Sequence, residues 1–229
     1  MPEKNHKHIT CQNCVSREKS LFDTFCTTDV GRLNKIKSCS YFKKNQPLFI
    51  EGSLPRGVYC LNQGKVKIFA RGEEGKEQII HLASSGEIVG FRVMFSGETY
   101  KVSATTLEES NICFISKNDF LDLVDTNPTL RKGIMQELSR ELAERATFIT
   151  NLAQKSVRER LASALVLLDD IYENEMVNLT REDLANFIGT ATETLIRLLK
   201  DFKEENLVKT HARQIEILDR ERLLYIAGA

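Results

Sequence analysis

Between Leu48 and Ser116 the apolar residues come in short runs rich in Val, Ile, Phe and Tyr, broken by Gly52, Gly57, Gly64, Gly72, Gly75, Gly86, Gly90 and Gly97. Such runs, separated by turn formers, read as strands. Val58–Leu61 and Val66–Phe69 flank a tight Asn62-Gln63-Gly64 turn, and Gly72-Glu73-Glu74-Gly75 leads into Gln78–Leu82. Short strands at regular spacing predict an antiparallel barrel or roll.

Beyond Asn127-Pro128 the pattern turns helical and continues to about Ala153. Leu130, Ile134, Leu138, Leu142, Ile149 and Leu152 step mostly by three or four or their multiples, which places one apolar stripe on a helix that is otherwise charged. The stripe either packs on its twin in a dimer, through Ile134, Leu138, Leu142, Ile149 and Leu152, or lies on its own domain. A second helical region runs from Val157 to Tyr172.

Leu179–Leu199 reads LTREDLANFIGTATETLIRLL. Thr180 with Asp183 three residues on forms an N-cap followed by an acidic first turn, and Leu184, Ala185 and Ile188 share one face of a short helix. Gly189 ends that helix with a turn needing positive φ. A second helix turns Leu195, Leu198 and Leu199 inward and Thr192, Glu193, Ile196 and Arg197 outward. The small Ala185 lets the two helices cross closely, as a helix-turn-helix requires. Glu193 can accept from a cytosine amino group, and Arg197, one turn later, can donate twice to a guanine. Thr180, Arg181, Thr190 and Lys200 are placed to hold phosphates. Lys209–Arg213 followed by Gln214–Ile217 reads as a hairpin wing with a basic tip. A solvated polar face is the competing reading for all these residues.

Composition sharpens the picture in three places. The 229 residues exceed one ordinary domain, and 41% are hydrophobic. No apolar run reaches the ~18 residues of a membrane span, and no export signal is evident at the N-terminus, so a cytoplasmic protein is expected. Lys plus Arg and Asp plus Glu balance at 32 each, whereas Ser156–Ala229 holds 10 Lys plus Arg against 14 Asp plus Glu, a net of −4. That acidic balance is unusual for a nucleic-acid-binding domain and predicts modest, salt-sensitive non-specific affinity.

Six cysteines, Cys11, Cys14, Cys26, Cys39, Cys60 and Cys113, lie unevenly in the first half. Without an export signal a disulfide framework is not expected, which leaves thiols, ligands or core filler. A C-x-x-C such as Cys11-Gln12-Asn13-Cys14 suits a cluster, zinc or a redox pair. His6, His8, His81 and His211 are too scattered to define a metal or haem site.

Taken together, the strand-rich stretch Gly64–Phe91 (GKVKIFARGEEGKEQIIHLASSGEIVGF), Ser103–Ile115 (SATTLEESNICFI), the helix start Val157–Leu168 (VRERLASALVLL) and GTATETLIRLL in the second helix resemble the Crp/Fnr superfamily of bacterial transcription regulators. The resemblance covers nearly the whole chain. It implies an α+β protein: an N-terminal segment with the C-x-x-C (1–20), a cyclic-nucleotide-binding-like antiparallel β-barrel of jelly-roll type (21–126), a long dimerisation helix (127–155) and a C-terminal winged helix-turn-helix (156–229). The implied partners are double-stranded DNA, a second copy of the chain and RNA polymerase, with no membrane. Glu193 and Arg197 match the family residues that read a TGA-containing half-site, with Thr192 at the variable position before the glutamate.

In the cyclic-AMP branch of the family a glutamate holds the ribose and an Arg-Ser pair holds the phosphate. Those places fall here at Phe91 and at Val102-Ser103, so a buried phosphodiester would lack its counter-charge, and cyclic AMP is not expected. A different small ligand would sit around Gly90, Phe91, Arg92, Val102 and Ser103. In the oxygen-sensing branch three N-terminal cysteines and one barrel cysteine hold a [4Fe-4S] cluster. Cys11, Cys14 and Cys113 match, but the next cysteine of the pattern is Ser20 here, which leaves Cys26 to complete the set. The alternatives are a C-x-x-C remnant with Cys39, Cys60 and Cys113 as buried small side chains, another metal or haem, or a thiol switch.

Two rival function classes stand beside the regulator. One is a ligand-binding or scaffold protein whose winged helix contacts protein. The other is an enzyme, for which no Ser-His-Asp or Cys-His arrangement, Walker loop or H-E-x-x-H is present.

Overall fold

The computed structural model describes residues 10–173 and 175–228; His6 and His8 lie outside them. The chain divides into two compact units. The first joins the chain up to Ala70 with Ile80–Glu141, and the second joins Arg71–Ile79 with the chain from Leu142 on.

The N-terminal half carries two four-stranded sheets. One has the order β1 (Lys37–Phe42), β8 (Ser110–Ser116), β3 (Gly57–Gln63), β6 (Ile88–Val89), and the other the order β2 (Pro47–Phe49), β7 (Ser103–Thr106), β4 (Val66–Arg71), β5 (Glu77–Ala83). The expected antiparallel roll is therefore present. Gly64 turns between β3 and β4 at φ 107°, where an added Cβ would meet Ser110 Oγ at 2.1 Å, so only glycine fits. Leu48, Phe49, Leu61, Val66, Ile68, Ala104 and Ile112 bury one core.

A second core gathers Phe22, Phe25, Leu33, Val58, Phe120, Leu130 and Ile134. It joins the 3-10 turn Cys11–Asn13, helix α1 (Thr27–Ile36), the short α2 (Arg92–Ser96) and α3 (Lys117–Thr126) to the sheet, whereas the 3-10 turn Val15–Lys19 buries no residue in it. None of these three helices was signalled by periodicity, because each is short and buries only a few residues. Ser116 caps α3 by accepting from the Asp119 N–H at 3.2 Å.

Helix α4 (Pro128–Gln154) opens with proline in the first turn, and Asn127 Oδ1 accepts from the Leu130 N–H at 2.9 Å. A capping box then starts α5 (Val157–Ile171): the Glu159 carboxylate accepts from the Ser156 N–H at 2.7 Å, and Ser156 Oγ accepts from the Glu159 N–H at 3.3 Å. Helices α6 (Arg181–Ile188) and α7 (Thr192–Glu204) follow, then the hairpin β9 (Val208–His211) and β10 (Gln214–Ile217), and α8 (Arg220–Ala227) closes the unit. Leu161, Leu165, Leu184, Leu195, Phe202, Ile215 and Leu223 fill its core.

The apolar stripe of α4 divides between two environments. Ile134 is buried and Leu138 packs against the same core, so these two do not lie on a free helix face, contrary to expectation. Leu142 and Ile149 are exposed at 73% and 66%, and Met135, one heptad earlier, at 65%. Leu152 is half-buried and comes close to Gly189.

Candidate functional site

The helix pair α6–α7 is built as its residues dictate. Thr180 Oγ1 accepts from the Asp183 N–H at 2.9 Å and starts α6. Gly189 stops the helix at φ 69°, and the Thr190 N–H returns to the Ala185 carbonyl at 3.0 Å. Ala185 is buried, so α6 and α7 approach each other closely.

Leu195, Leu199 and Phe202 anchor α7 inward, while Glu193, Ile196 and Arg197 face solvent and Thr192 is half-buried at the first turn. Glu193 and Arg197 stand one turn apart on the same face. Among the described residues no ion pair or hydrogen bond occupies either of them. Lys200 is also exposed and lies 3.8 Å from Glu204.

Thr180 and Arg181 at the start of α6 and Thr190 in the turn before α7 are half-buried. The Arg181 guanidinium donates to the Ala212 and Arg213 carbonyls, each at 3.4 Å, which ties the start of α6 to the tip of the β9–β10 hairpin. Lys209, His211 and Arg213 are exposed on that hairpin. The wing is therefore tied to the start of α6.

The acidic excess of this half is largely structural. Arg220 pairs with Asp169 at 2.8 Å and with Asp170 at 2.9 Å. Arg158 donates to both Glu205 oxygens at 2.8 Å. Glu159, Asp183 and Asp219 serve at helix N-termini. These acids hold the unit together, so its net charge does not describe the face that α7 presents.

In the first unit, Phe91 is buried in the core beside α3, and Arg92 pairs with Glu141 at 3.2 Å. Ser103 Oγ accepts from the Glu51 N–H at 3.0 Å, and Val102 packs against the inter-strand core. Beside Gly90, Tyr100 stacks on Phe49 with centroids 3.8 Å apart and donates to the Gly57 carbonyl at 3.4 Å. Phe91, Arg92, Val102 and Ser103, named with Gly90 as the surroundings of a small ligand other than cyclic AMP, thus each have protein partners here.

The cysteines form the other notable cluster. β1 and β3 both pair with β8 so that Cys39, Cys113 and Cys60 stand directly opposite one another across three strands. Opposed residues of an antiparallel pair share a face. Cys39 and Cys113 are joined in a disulfide, with Cα atoms 4.0 Å apart. This corrects the expectation that the cysteines are thiols, ligands or core filler, because register brings together two residues 74 positions apart.

Cys11, Cys14, Cys60 and Cys113 line one cleft together with Lys37 and Arg17. The N-terminal segment is tied down there: Asn62 Nδ2 lies 3.1 Å from Cys14 Sγ, the Cys11 N–H donates to Asn34 Oδ1 at 3.0 Å, and Arg17 Nε donates to the Cys11 carbonyl at 3.0 Å. Burial pushes the Cys60 thiol up to about 12 and also raises Cys11, where Lys37 opposes the shift. Cys26 is elsewhere. It precedes α1, exposed, with its sulfur 3.2 Å from Asp29 Oδ2. The sequence did not single out Cys60 as a member of the cleft, since only strand register places it there.

Residues 39–127 match the family model of the cyclic nucleotide-binding domain, and residues 159–226 match that of the Crp-like helix-turn-helix domain. The chain is similar to the fumarate and nitrate reduction regulatory protein of Yersinia pestis, at 30% identity over 228 residues that take in 96% of this chain and 91% of that one. The transcriptional activator protein anr of Pseudomonas aeruginosa is 29% identical over 226 residues, 95% of this chain and 92% of the relative. Among solved structures, a crp/fnr-family regulator from Eubacterium rectale has a TM-score of 0.74 at 18% identity, covering 91% of this chain and 98% of that chain, a likeness of fold.

Proposed function

The chain belongs to the Crp/Fnr superfamily of bacterial transcription regulators, and on that premise we propose that it binds DNA as a homodimer, each α7 reading a TGA-containing half-site of an inverted repeat. That it is a DNA-binding transcription regulator follows from the family; dimerisation, half-site and signal are the proposal. The observation that carries it is the pair Glu193 and Arg197, one turn apart on the exposed face of a helix whose opposite face is buried. Arg197 donates in this reading to guanine O6 and N7, and Glu193 accepts from a cytosine amino group. Thr180, Arg181, Thr190 and Lys200 hold the phosphates and Thr192 approaches the bases.

The second copy is taken up along α4. Met135, Leu142 and Ile149 recur every seven residues, and all three are exposed. Ser139, Ala146 and Ala153, four residues beyond each, are small and exposed, which favours close approach of two helices. Such a dimer sets two recognition helices about one helical turn of DNA apart. From there it acts on RNA polymerase, as a regulator and without chemistry of its own.

The signal in this reading is not cyclic AMP but enters at the cysteine cleft. The [4Fe-4S] cluster implied by the family resemblance asks for thiolates, and Cys11, Cys14 and Cys113 would hold it; bound there, it would make the unit sensitive to oxidants. Cys11 and Cys14 are free thiols, but Cys113 is bound to Cys39, and among the described residues no three Cys, His, Asp or Glu converge on a metal position, so the donor set is incomplete. Cys26, which does not line the cleft, does not complete the set.

The test is fluorescence anisotropy of the full chain with a duplex carrying a TTGA-type inverted repeat, compared with a scrambled duplex at one salt concentration. Tighter binding to the repeat at about one duplex per two subunits supports the reading. Equal binding to both, or none to either, overturns it.

A further inference from the structure

We propose that Ile196 is a specificity-determining residue of the DNA-reading face, in contact with the 5-methyl group of a thymine next to the guanine that Arg197 reads. The inference rests on the reading of α7 as the recognition helix and adds to it a contact of different chemistry.

Leu195, Leu199 and Phe202 are buried and Leu198 is half-buried, which anchors α7 to its unit. Ile196 lies outside this set at 54% exposure; among the described residues it is the one large apolar side chain of α7 turned to solvent. A single exposed isoleucine is ordinary on a protein surface. Its position is what distinguishes it. Ile196 and Arg197 each lie one turn beyond Glu193 on the same exposed face, their Cβ atoms about 5–6 Å from that of the glutamate. Packing does not account for an isoleucine there. Helix propensity does not either, since β-branched side chains rank below Ala, Leu, Lys and Glu in helices.

The chemistry of the partner follows from that of the side chain. Phosphates and most base edges offer charges or hydrogen-bonding groups, which an aliphatic side chain cannot answer. Of the four bases only thymine presents an apolar group in the major groove, its C5 methyl. In a TGA half-site the pairs flanking the guanine are T·A and A·T, so a thymine methyl stands on each side of it. Successive base pairs are about 3.4 Å apart, which brings a neighbouring pair within reach of Ile196 when Arg197 is on the guanine. The side chain is also prepared for contact: in a helix isoleucine keeps largely one χ1 rotamer, so little freedom is lost on binding. Cytosine in the thymine's place would set an amino donor against apolar surface and leave it unpaired.

The test removes the methyl group alone. The full chain is titrated by fluorescence anisotropy at one salt concentration against four duplexes: the TTGA-type inverted repeat, the repeat with deoxyuridine for thymine at one flanking pair of both half-sites, the repeat so altered at the other flanking pair, and a scrambled sequence. Deoxyuridine at one of the two positions is expected to weaken binding about fourfold per half-site, the ratio for one methyl group withdrawn from contact. Ile196→Ala is expected to bind thymine and uracil duplexes alike while still discriminating the guanine, and to unfold thermally as the wild type does. Ile196→Val, which keeps the branch at Cβ, is expected to retain most of the thymine preference. Wild-type protein that prefers the repeat to the scrambled duplex yet binds thymine and uracil duplexes equally overturns this inference and leaves the recognition helix in place. A methyl preference that persists in Ile196→Ala assigns the contact to another side chain and also overturns it. Equal binding to repeat and scrambled duplexes overturns the inference together with the reading on which it rests.

Discussion

Arg160 Nε donates to the Ile188 carbonyl at 2.9 Å, and the same guanidinium reaches Leu152 and Lys155 at the end of α4 at 3.1 and 3.0 Å and Gly189 at 3.3 Å. One cation thus satisfies the last carbonyls of two helices, the long helix and the first helix of the DNA-binding pair, where unpaired acceptors and the helix dipoles both favour positive charge. Replacing Arg160 by Ala leaves these half-buried carbonyls to water, with an expected loss of about 3 kcal/mol in denaturant unfolding. Arg160→Lys is expected to recover only part of it, because an ammonium group cannot fork to four acceptors. A loss below about 0.5 kcal/mol, the range of ordinary surface substitutions, contradicts the role given to Arg160.

Gly189 turns at φ 69°, and a Cβ there would lie 3.1 Å from Leu152 Cδ2. Gly189→Ala is therefore expected to destabilise the unit by about 1–2 kcal/mol from backbone strain alone, with added crowding of Leu152. Thermal unfolding measures it. An unchanged or raised melting temperature speaks against this turn geometry.

Two substitutions in α4 separate association from folding. Leu142→Glu, at a side chain 73% exposed, is expected to produce monomers in sedimentation equilibrium while unfolding as the wild type does at the subunit level. Ile134→Ala, at a side chain 3% exposed in the monomer's core, is expected to lose about 2–5 kcal/mol of stability without altering the contact between copies. Dimers that persist with Leu142→Glu rule out the α4 seam.

The Glu87 carboxylate accepts from the Ser84 N–H at 2.8 Å and lies 2.7 Å from His81 Nε2. Burial alone would raise its pKa, but the hydrogen bond and charge of His81, with the Ser84 bonds, outweigh that and hold it below 4.5. A lowered folded-state pKa contributes stability above the ordinary carboxylate value, which is lost as pH falls through the folded one. Melting temperature is expected to drop with acidification below about pH 4.5, and Glu87→Gln is expected to flatten that acid limb. An identical acid limb in the variant removes Glu87 from the explanation.

How far the sequence foretold this molecule depended on the range of the signal. Thr180, Ala185 and Gly189 act within one turn of their own backbone, so the helix pair could be read directly from the chain. The stripe on α4 was legible as a stripe only. Ile134 and Leu142 carry the same periodicity, yet one meets Phe120 in a core and the other meets solvent, a difference set by tertiary packing. Cys60 and Cys39 carried no local signal, because their relation to Cys113 is a matter of strand register. The acidic balance pointed away from a nucleic-acid partner until Asp169, Asp170 and Glu205 were found paired with arginines.

The most direct test of DNA readout compares wild type and Arg197→Ala on two duplexes at one salt concentration, one with intact TGA half-sites and one with the guanine of each replaced. The wild-type chain is expected to favour the intact duplex by about 1–3 kcal/mol per half-site, and Arg197→Ala to bind both duplexes alike. A variant that still prefers the guanine would show that Arg197 does not read it, and the assignment of the α7 face would fail.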